Sequence, residues 1–154
     1  MDERSGEPPT RRLVLLAAVG LGLAPFASPA VASSAAMEEA IRSLVGDAVV
    51  TRGRVKLELP AIVENGNTVP LTVTVDSPMS EADHVTAIHI FNEKNPQPYV
   101  AAFAVGPRAG KAMVSTRIRL ADSQQVTAIA RLSDGSLWSD SADVIVTLAA
   151  CAEA

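Results

Sequence analysis

The chain has 154 residues, 48% of them hydrophobic but 3% aromatic, and a formal charge of −4 at pH 7. This mildly acidic balance argues against a nucleic-acid or anionic-membrane partner. The length suits one domain rather than two, and a single cysteine excludes an internal disulfide.

Thr10-Arg11-Arg12-Leu13-Val14-Leu15 leads into an apolar stretch running to Phe26, followed by Ser28-Pro29-Ala30-Val31-Ala32. A basic start, a short apolar run and a small-x-small site describe an export signal. The apolar run, about 14 residues, falls short of the roughly 20 that a membrane-spanning helix needs. Cleavage is expected after Ala32, with Ala30 and Ala36 as rival sites. Adjacent Arg11 and Arg12 favour the twin-arginine route; the alternative takes them as ordinary charges of a general secretory signal. Residues 1–32 are therefore read as a twin-arginine signal peptide and the protein as periplasmic. That route carries folded proteins, some with a partner attached. No cofactor motif is visible, so a bound partner subunit is the expected companion. The signal holds Arg4, Arg11 and Arg12 against Asp2, Glu3 and Glu7, so its removal leaves the charge unchanged.

Residues 33–36 read as loose. A helix is expected from Met37 to about Val45, with Glu38 and Glu39 in its first turn, Ile41, Leu44 and Val45 at helical spacing, and Gly46 as its stop. The period then changes from 3.6 to 2. Val55, Leu57 and Leu59 alternate with Lys56 and Glu58 until Pro60. After the turn Glu64-Asn65-Gly66-Asn67, Val69, Leu71, Val73 and Val75 alternate with Thr72 and Thr74. Val85 to Phe91 is apolar on both faces except for His89, as in a central strand or one whose outer face meets a partner. Glu93 to Pro98 is a turn, and Tyr99 to Val105 a further strand. Val114, Thr116, Ile118 and Leu120 then oppose Ser115, Arg117 and Arg119. Val126, Ala128, Ala130 and Leu132 run into Ser133-Asp134-Gly135-Ser136, a hairpin signal. The last strand spans Leu137 to Leu148, with Ser141 as a candidate kink. About seven strands and one short helix predict an all-β, immunoglobulin-like antiparallel sandwich over residues 33–148. Residues 149–154 form a C-terminal arm.

Few residues inside the sandwich promise chemistry. His84 and His89 have no cysteine or carboxylate cluster at metal-ligand spacing, so no metal site is expected. His89 reads as a satisfied core or interface histidine, and His84 as a turn residue. No Gly-x-Ser-x-Gly elbow, phosphate loop or His-Glu-x-x-His is present. Asp140 and Asp143 read as solvated charges, and Trp138 as a packing residue. Arg117 and Arg119, on one face, either meet an acidic partner or are simply solvated.

The remaining candidate is Cys151, in Leu148-Ala149-Ala150-Cys151-Ala152-Glu153-Ala154. A lipid-anchor cysteine would directly follow the signal peptide, so that role is closed. Ala149, Ala150 and Ala152 offer no bulk to block entry into a narrow cleft. Glu153 and the carboxylate of Ala154 disfavour the thiolate, and no cation in the tail offsets them. The thiol is poorly activated by its own chain. That suits a carrier whose cargo is handled inside other proteins better than a self-sufficient thiol enzyme.

Several segments together closely resemble the SoxY family, the sulfur-carrier subunits of the periplasmic thiosulfate-oxidising Sox system. They are Glu64-Asn65-Gly66-Asn67-Thr68-Val69-Pro70, Asp76-Ser77-Pro78-Met79, Ile88-His89-Ile90-Phe91-Asn92-Glu93-Lys94-Asn95-Pro96, Ser115-Thr116-Arg117-Ile118-Arg119-Leu120 and Ser133-Asp134-Gly135-Ser136-Leu137-Trp138. The resemblance implies a non-enzymatic carrier without a cofactor. It pairs with a second immunoglobulin-like subunit, SoxZ, and holds sulfur intermediates covalently on Cys151. A c-type cytochrome complex would join thiosulfate to the thiol, a hydrolase would release sulfate, and in some systems a sulfur dehydrogenase oxidises the remaining sulfur. The family arm usually reads Gly-Gly-Cys-Gly-Gly, where this chain has Ala149-Ala150-Cys151-Ala152-Glu153. Alanine removes positive-φ conformations, and Glu153 repels an anionic adduct. The competing readings are an exported structural sandwich whose Cys151 makes an intermolecular disulfide, and a relative that binds the partner subunit but carries nothing.

Overall fold

A computed structural model describes residues 33–148. It contains one helix, α1 (Ser34–Val45), and nine strands: β1 (Val50–Arg52), β2 (Val55–Glu58), β3 (Ile62–Val63), β4 (Val69–Val75), β5 (Val85–Asn92), β6 (Tyr99–Ala104), β7 (Ala112–Ile118), β8 (Gln124–Leu132) and β9 (Leu137–Val146). A single 3₁₀ turn, Pro107–Ala109, lies before β7. Residues 1–32, expected to be a signal peptide, and residues 149–154, expected to form an arm, lie outside the described residues.

Helix α1 begins three residues before the expected Met37. Ser33 has an extended backbone and its side-chain oxygen accepts the Ala36 N–H at 3.3 Å, satisfying a free donor of the first turn. Residues 33–36 are therefore cap and first turn, not a loose segment, and Glu38 and Glu39 fall beyond that turn. The helix stops where expected: Gly46 adopts φ 61° and returns its N–H to the Arg42 carbonyl at 2.8 Å.

The strands form an immunoglobulin-like sandwich. The larger sheet runs β1-β9-β8-β5-β6, with β3 also paired to β9; the smaller runs β2-β4-β7. The alternating residues read from the sequence face inward. Val69, Leu71, Val73 and Val75 from the small sheet meet Ile88, Ile90, Val126, Ala128, Ala130 and Val144 from the large one. A fully buried Val, Leu or Ile is worth about 1.5–3 kcal/mol, so this interface supplies most of the drive to fold. The β8–β9 hairpin turns at Asp134-Gly135, with Gly135 at φ 84°.

Two strands exceed the expected seven. The pairs β1–β9 and β3–β9 are parallel, in a sandwich otherwise built from antiparallel pairs. The chain from Val50 to Val63 pairs with the start of β9, crosses to the small sheet as β2, then returns to the end of β9 as β3. The crossing uses Gly53 at φ 118° and Arg54 at φ 54°. A Cβ on Gly53 would lie 3.6 Å from the Trp138 ring. Strands of three and two residues carry no readable alternation; they form because β9 offers them a free edge. That strand runs unbroken through Ser141.

The doubly apolar β5 is central, flanked by β8 and β6. Its outer face meets α1 rather than standing open for a partner. Met37, Phe91, Ile129 and Leu137 form a second core beneath the helix, with Ala40, Ile41, Leu44 and Val45 packed on it. The helix explains why this strand is apolar on both sides.

The arm root and the candidate functional site

Cys151, Ala149, Ala150 and Ala152 lie outside the described residues, whereas the chain leading to them is held on three sides. Thr147 donates its N–H to the Val63 carbonyl at 3.0 Å, continuing the β3–β9 pairing. The Leu148 carbonyl accepts the Gly66 N–H at 2.8 Å, and the Gly66 carbonyl accepts the Leu120 N–H at 2.9 Å. Ser123 Oγ accepts the Val146 N–H at 2.9 Å. The turn carrying Gly66 is shaped by Asn65, whose Oδ1 accepts the Asn67 N–H at 2.9 Å. This is an Asx turn, in which a short side chain substitutes for a backbone acceptor.

A second set of bonds supports the loop containing Leu120. Asn95 Oδ1 accepts the Ala121 N–H at 2.9 Å and Gln124 Nε2–H at 3.0 Å, while Asn95 Nδ2 donates to the Arg119 carbonyl at 2.8 Å. Gln124, 5% exposed, also accepts the Lys94 N–H at 2.8 Å through Oε1 and donates to the Asp122 carbonyl at 3.0 Å. A buried amide satisfied on both ends is a rigid connector. Bonds therefore run from Asn95 through Leu120 and Gly66 to Leu148. Sequence reading places Asn95 in a turn without a task and does not single out Gln124. The available signal was an Asn before Pro96 in a turn, the setting where asparagine bonds nearby backbone.

Leu148 is the last described residue, hydrogen-bonded to Gly66, and Cys151 follows three positions later. At full extension that is about 10–11 Å of chain, so the thiol stays within that distance of the sandwich end made by Val63–Asn67, Leu120–Ser123 and Thr147–Leu148. Around this end Glu64, Arg119 and Asp122 are exposed, with Asp122 3.8 Å from Lys94 Nζ.

The other candidates are dispersed. His89 is buried, its Nδ1 2.8 Å from the Tyr99 hydroxyl. Burial, reinforced by the Arg131 guanidinium, pushes its pKa below the ordinary 6.5. His84 Nδ1 lies 3.0 Å from the Ser80 carbonyl, in the expected turn. Among the described residues, no group of three or more His, Cys, Asp or Glu converges as a metal would require. Trp138 packs on the main core, with Arg54 5.7 Å above its ring and its Nε1–H donated to Ser136 Oγ at 3.1 Å. Arg117 is exposed and lines a shallow groove with Pro70, Thr72 and Ser115 on the outer face of the small sheet.

Asp140 needs correction. It is not a freely solvated charge: Oδ2 accepts the Leu57 N–H at 3.0 Å, joining β9 of the large sheet to β2 of the small one, and Oδ1 accepts the Ser141 N–H at 2.9 Å. The bond forms where the chain between β1 and β3 leaves β9. Without this carboxylate, the Leu57 N–H would have no acceptor there. Asp143 is exposed as expected, bonded loosely to Gln125 at 3.4 Å.

Comparison with known proteins fits this arrangement. The family model of the sulfur oxidation protein SoxY matches residues 41–151. Among solved structures, the sulfur carrier protein SoxY from Chlorobium limicola f thiosulfatophilum is 32% identical with a TM-score of 0.63, the match covering 75% of this chain and 100% of that one. A superoxide reductase (neelaredoxin) from Ignicoccus hospitalis is 20% identical with a TM-score of 0.55, covering 61% and 80%. The superoxide reductase of Nanoarchaeum equitans is 13% identical with a TM-score of 0.53, covering 62% and 100%. These two likenesses concern the fold alone. No curated protein matches the sequence. With a family match that spans the sandwich and runs through the cysteine, the chain belongs to the SoxY family of sulfur oxidation proteins.

Proposed function

We propose that this protein is a periplasmic sulfur carrier that holds the intermediates of thiosulfate oxidation covalently on Cys151 and presents them to partner enzymes. The observation that carries the reading is the family match extending to residue 151, so that the cysteine is inside the matched segment, three positions beyond the hydrogen-bonded Leu148. The sandwich supplies a fixed root, and the arm supplies reach. The chain is not itself an enzyme. Export by the twin-arginine route, supported by residues 1–32, and pairing with a SoxZ-type immunoglobulin-like subunit, supported by the family match, belong to the same proposal.

The chemistry balances without a cofactor on this chain. In the first step the thiol and thiosulfate (S₂O₃²⁻) become Cys–S–S–SO₃⁻, releasing one proton and two electrons. The new bond is S–S, and the electrons go to the haems of a c-type cytochrome complex. In the second, water attacks the terminal sulfone group in a hydrolase, giving sulfate, a proton and Cys–S–SH. Where a sulfur dehydrogenase is present, it takes six electrons from that outer sulfur, which gains three oxygens from three waters and releases seven protons to give Cys–S–SO₃⁻; a further hydrolysis then frees sulfate and a proton and restores the thiol. With Glu153 two positions away and no cation between, thiol activation falls to the partner enzymes.

The test is intact-mass measurement of the protein recovered from cells given thiosulfate, beside a Cys151→Ser variant. The expected result is a sulfur-bearing adduct mapped to the Cys151 peptide and absent from the variant. Disulfide-linked dimers alone, or an unmodified thiol on protein bound to its partner subunit, would overturn the reading.

A further inference from the structure

A carrier with so short an arm imposes a geometric condition on whatever receives it. About 10–11 Å of chain separates Leu148 from Cys151 even when fully extended. A catalytic group lying several ångströms below an enzyme's surface is therefore reached only if the rim of its entrance touches the sandwich around Leu148. The surface there has a definite character. Ile62 and Ile145 are register partners in the parallel β3–β9 pair, so their side chains stand about 5 Å apart on the same outer face. They are 65% and 56% exposed, and Leu148 is 63% exposed. These are three of the six exposed large hydrophobics among the described residues, and all lie within one strand end of the arm root. Their neighbours Val63 and Val146 point into the core, so the outward isoleucines contribute nothing to it.

Helix α1 covers the outer face of the large sheet at the opposite end of β9, over Leu137. At the arm end no described residue covers that face. It carries exposed Asp143 beside Ile145, with exposed Glu64 and Asp122 in the neighbouring loops. Exposed Arg119 lies at the same end and Lys94 Nζ stands 3.8 Å from Asp122, so the border is of mixed sign and it is the apolar centre that fits an apolar entrance rim.

We propose that Ile62, Ile145 and Leu148 form the seat on which a thiol-loading enzyme docks while it takes in the arm. This rests on the carrier reading above and adds the surface that makes the arm's reach sufficient. Burial of the patch occurs only while Cys151 is inside the partner, so docking and delivery are one event.

The experiment compares wild-type protein with Ile62→Glu, Ile145→Glu and the milder Ile145→Thr. Loading of Cys151 from thiosulfate by the thiosulfate-conjugating cytochrome complex is followed by intact mass at subsaturating carrier. Alkylation of Cys151 by iodoacetamide, thermal melting and sedimentation velocity are measured alongside. The expected result is loading slowed on the order of tenfold or more by either glutamate and less by threonine, with alkylation, melting and sedimentation unchanged. Wild-type rates in all three variants would overturn the docking seat and leave the carrier reading intact. Loss of alkylation together with loading, or a changed sedimentation coefficient of the protein alone or with its SoxZ-type subunit, would overturn it in favour of an altered arm, a second copy or that subunit on the patch. Failure of the wild-type protein to load would remove the carrier reading itself, and the docking seat with it.

Discussion

Replacing Asn95 by alanine tests whether the arm root is held as the bonds around it indicate. The substitution removes three side-chain hydrogen bonds, to the Ala121 N–H, to Gln124 Nε2–H and to the Arg119 carbonyl. Each is worth about 0.5–1.5 kcal/mol net, and a buried donor left without an acceptor costs more. Gln124 is 5% exposed and loses one of its partners, while Asn95 itself is half-buried and water replaces part of the loss. The sum is about 2–3 kcal/mol, a sizeable share of the roughly 5–15 kcal/mol of a typical domain. For a domain of this size, that lowers Tm by about 6–12 °C. Calorimetry measures the total, and amide exchange locates it. Protection should fall most at Leu120 and Gly66, whose N–H groups tie the loop to the arm root, and less at Ile88 and Val126 in the core. A Tm change below about 1 °C, or a loss of protection spread evenly over the sandwich, would refute the idea that Asn95 fixes the root.

Asp140→Ala should cost about 1–3 kcal/mol in denaturant unfolding, because the Leu57 N–H is left unpaired between the sheets. Asp140→Asn keeps an acceptor and should cost less; equal losses would show that charge, not the bond, matters. His89 has a lowered pKa in the folded state, so folding favours its neutral form. Its contribution is therefore present above about 6.5 and lost as pH falls below that value toward the folded pKa. Denaturant midpoints measured downward from pH 7.5 should fall in that window and fall less in His89→Gln; an identical profile in the variant would reject this. Finally, Ala149→Gly combined with Ala150→Gly and Ala152→Gly should not slow loading of Cys151 by the cytochrome complex, since glycine only widens the arm's conformational range. A marked loss would mean that the alanines are specifically required.

The sandwich was legible where one side chain in two is buried. Val69 to Val75, Val114 to Leu120 and the Asp134-Gly135 turn report their own geometry, because burial on one face of a strand imposes a period of two. The start of α1 was misread because Ser33 and Ser34 look like linker composition, and whether a serine caps depends on the helix packing behind it. The short strands β1 and β3 were invisible for a related reason. Two or three residues hold no period, and their pairing is decided by the free edge of β9, more than 70 residues away.

The same division runs through the candidate site. One thiol in the chain and small residues on both sides of it are properties of the sequence alone, as is the likeness of several segments to the SoxY family. What the tertiary structure decided is where those segments meet. The Glu64–Pro70 turn, Asn95 and the Leu120 loop are far apart in the chain, yet successive hydrogen bonds link Asn95 to the loop, the loop to Gly66 and Gly66 to the carbonyl of Leu148. The tertiary structure also turned Asp140 from a surface charge into a bond between sheets, and gave the outer face of β5 to the helix. Local pattern determines which residues are buried. Contacts between distant segments are set by how the buried faces close on one another, and no short stretch of sequence contains that.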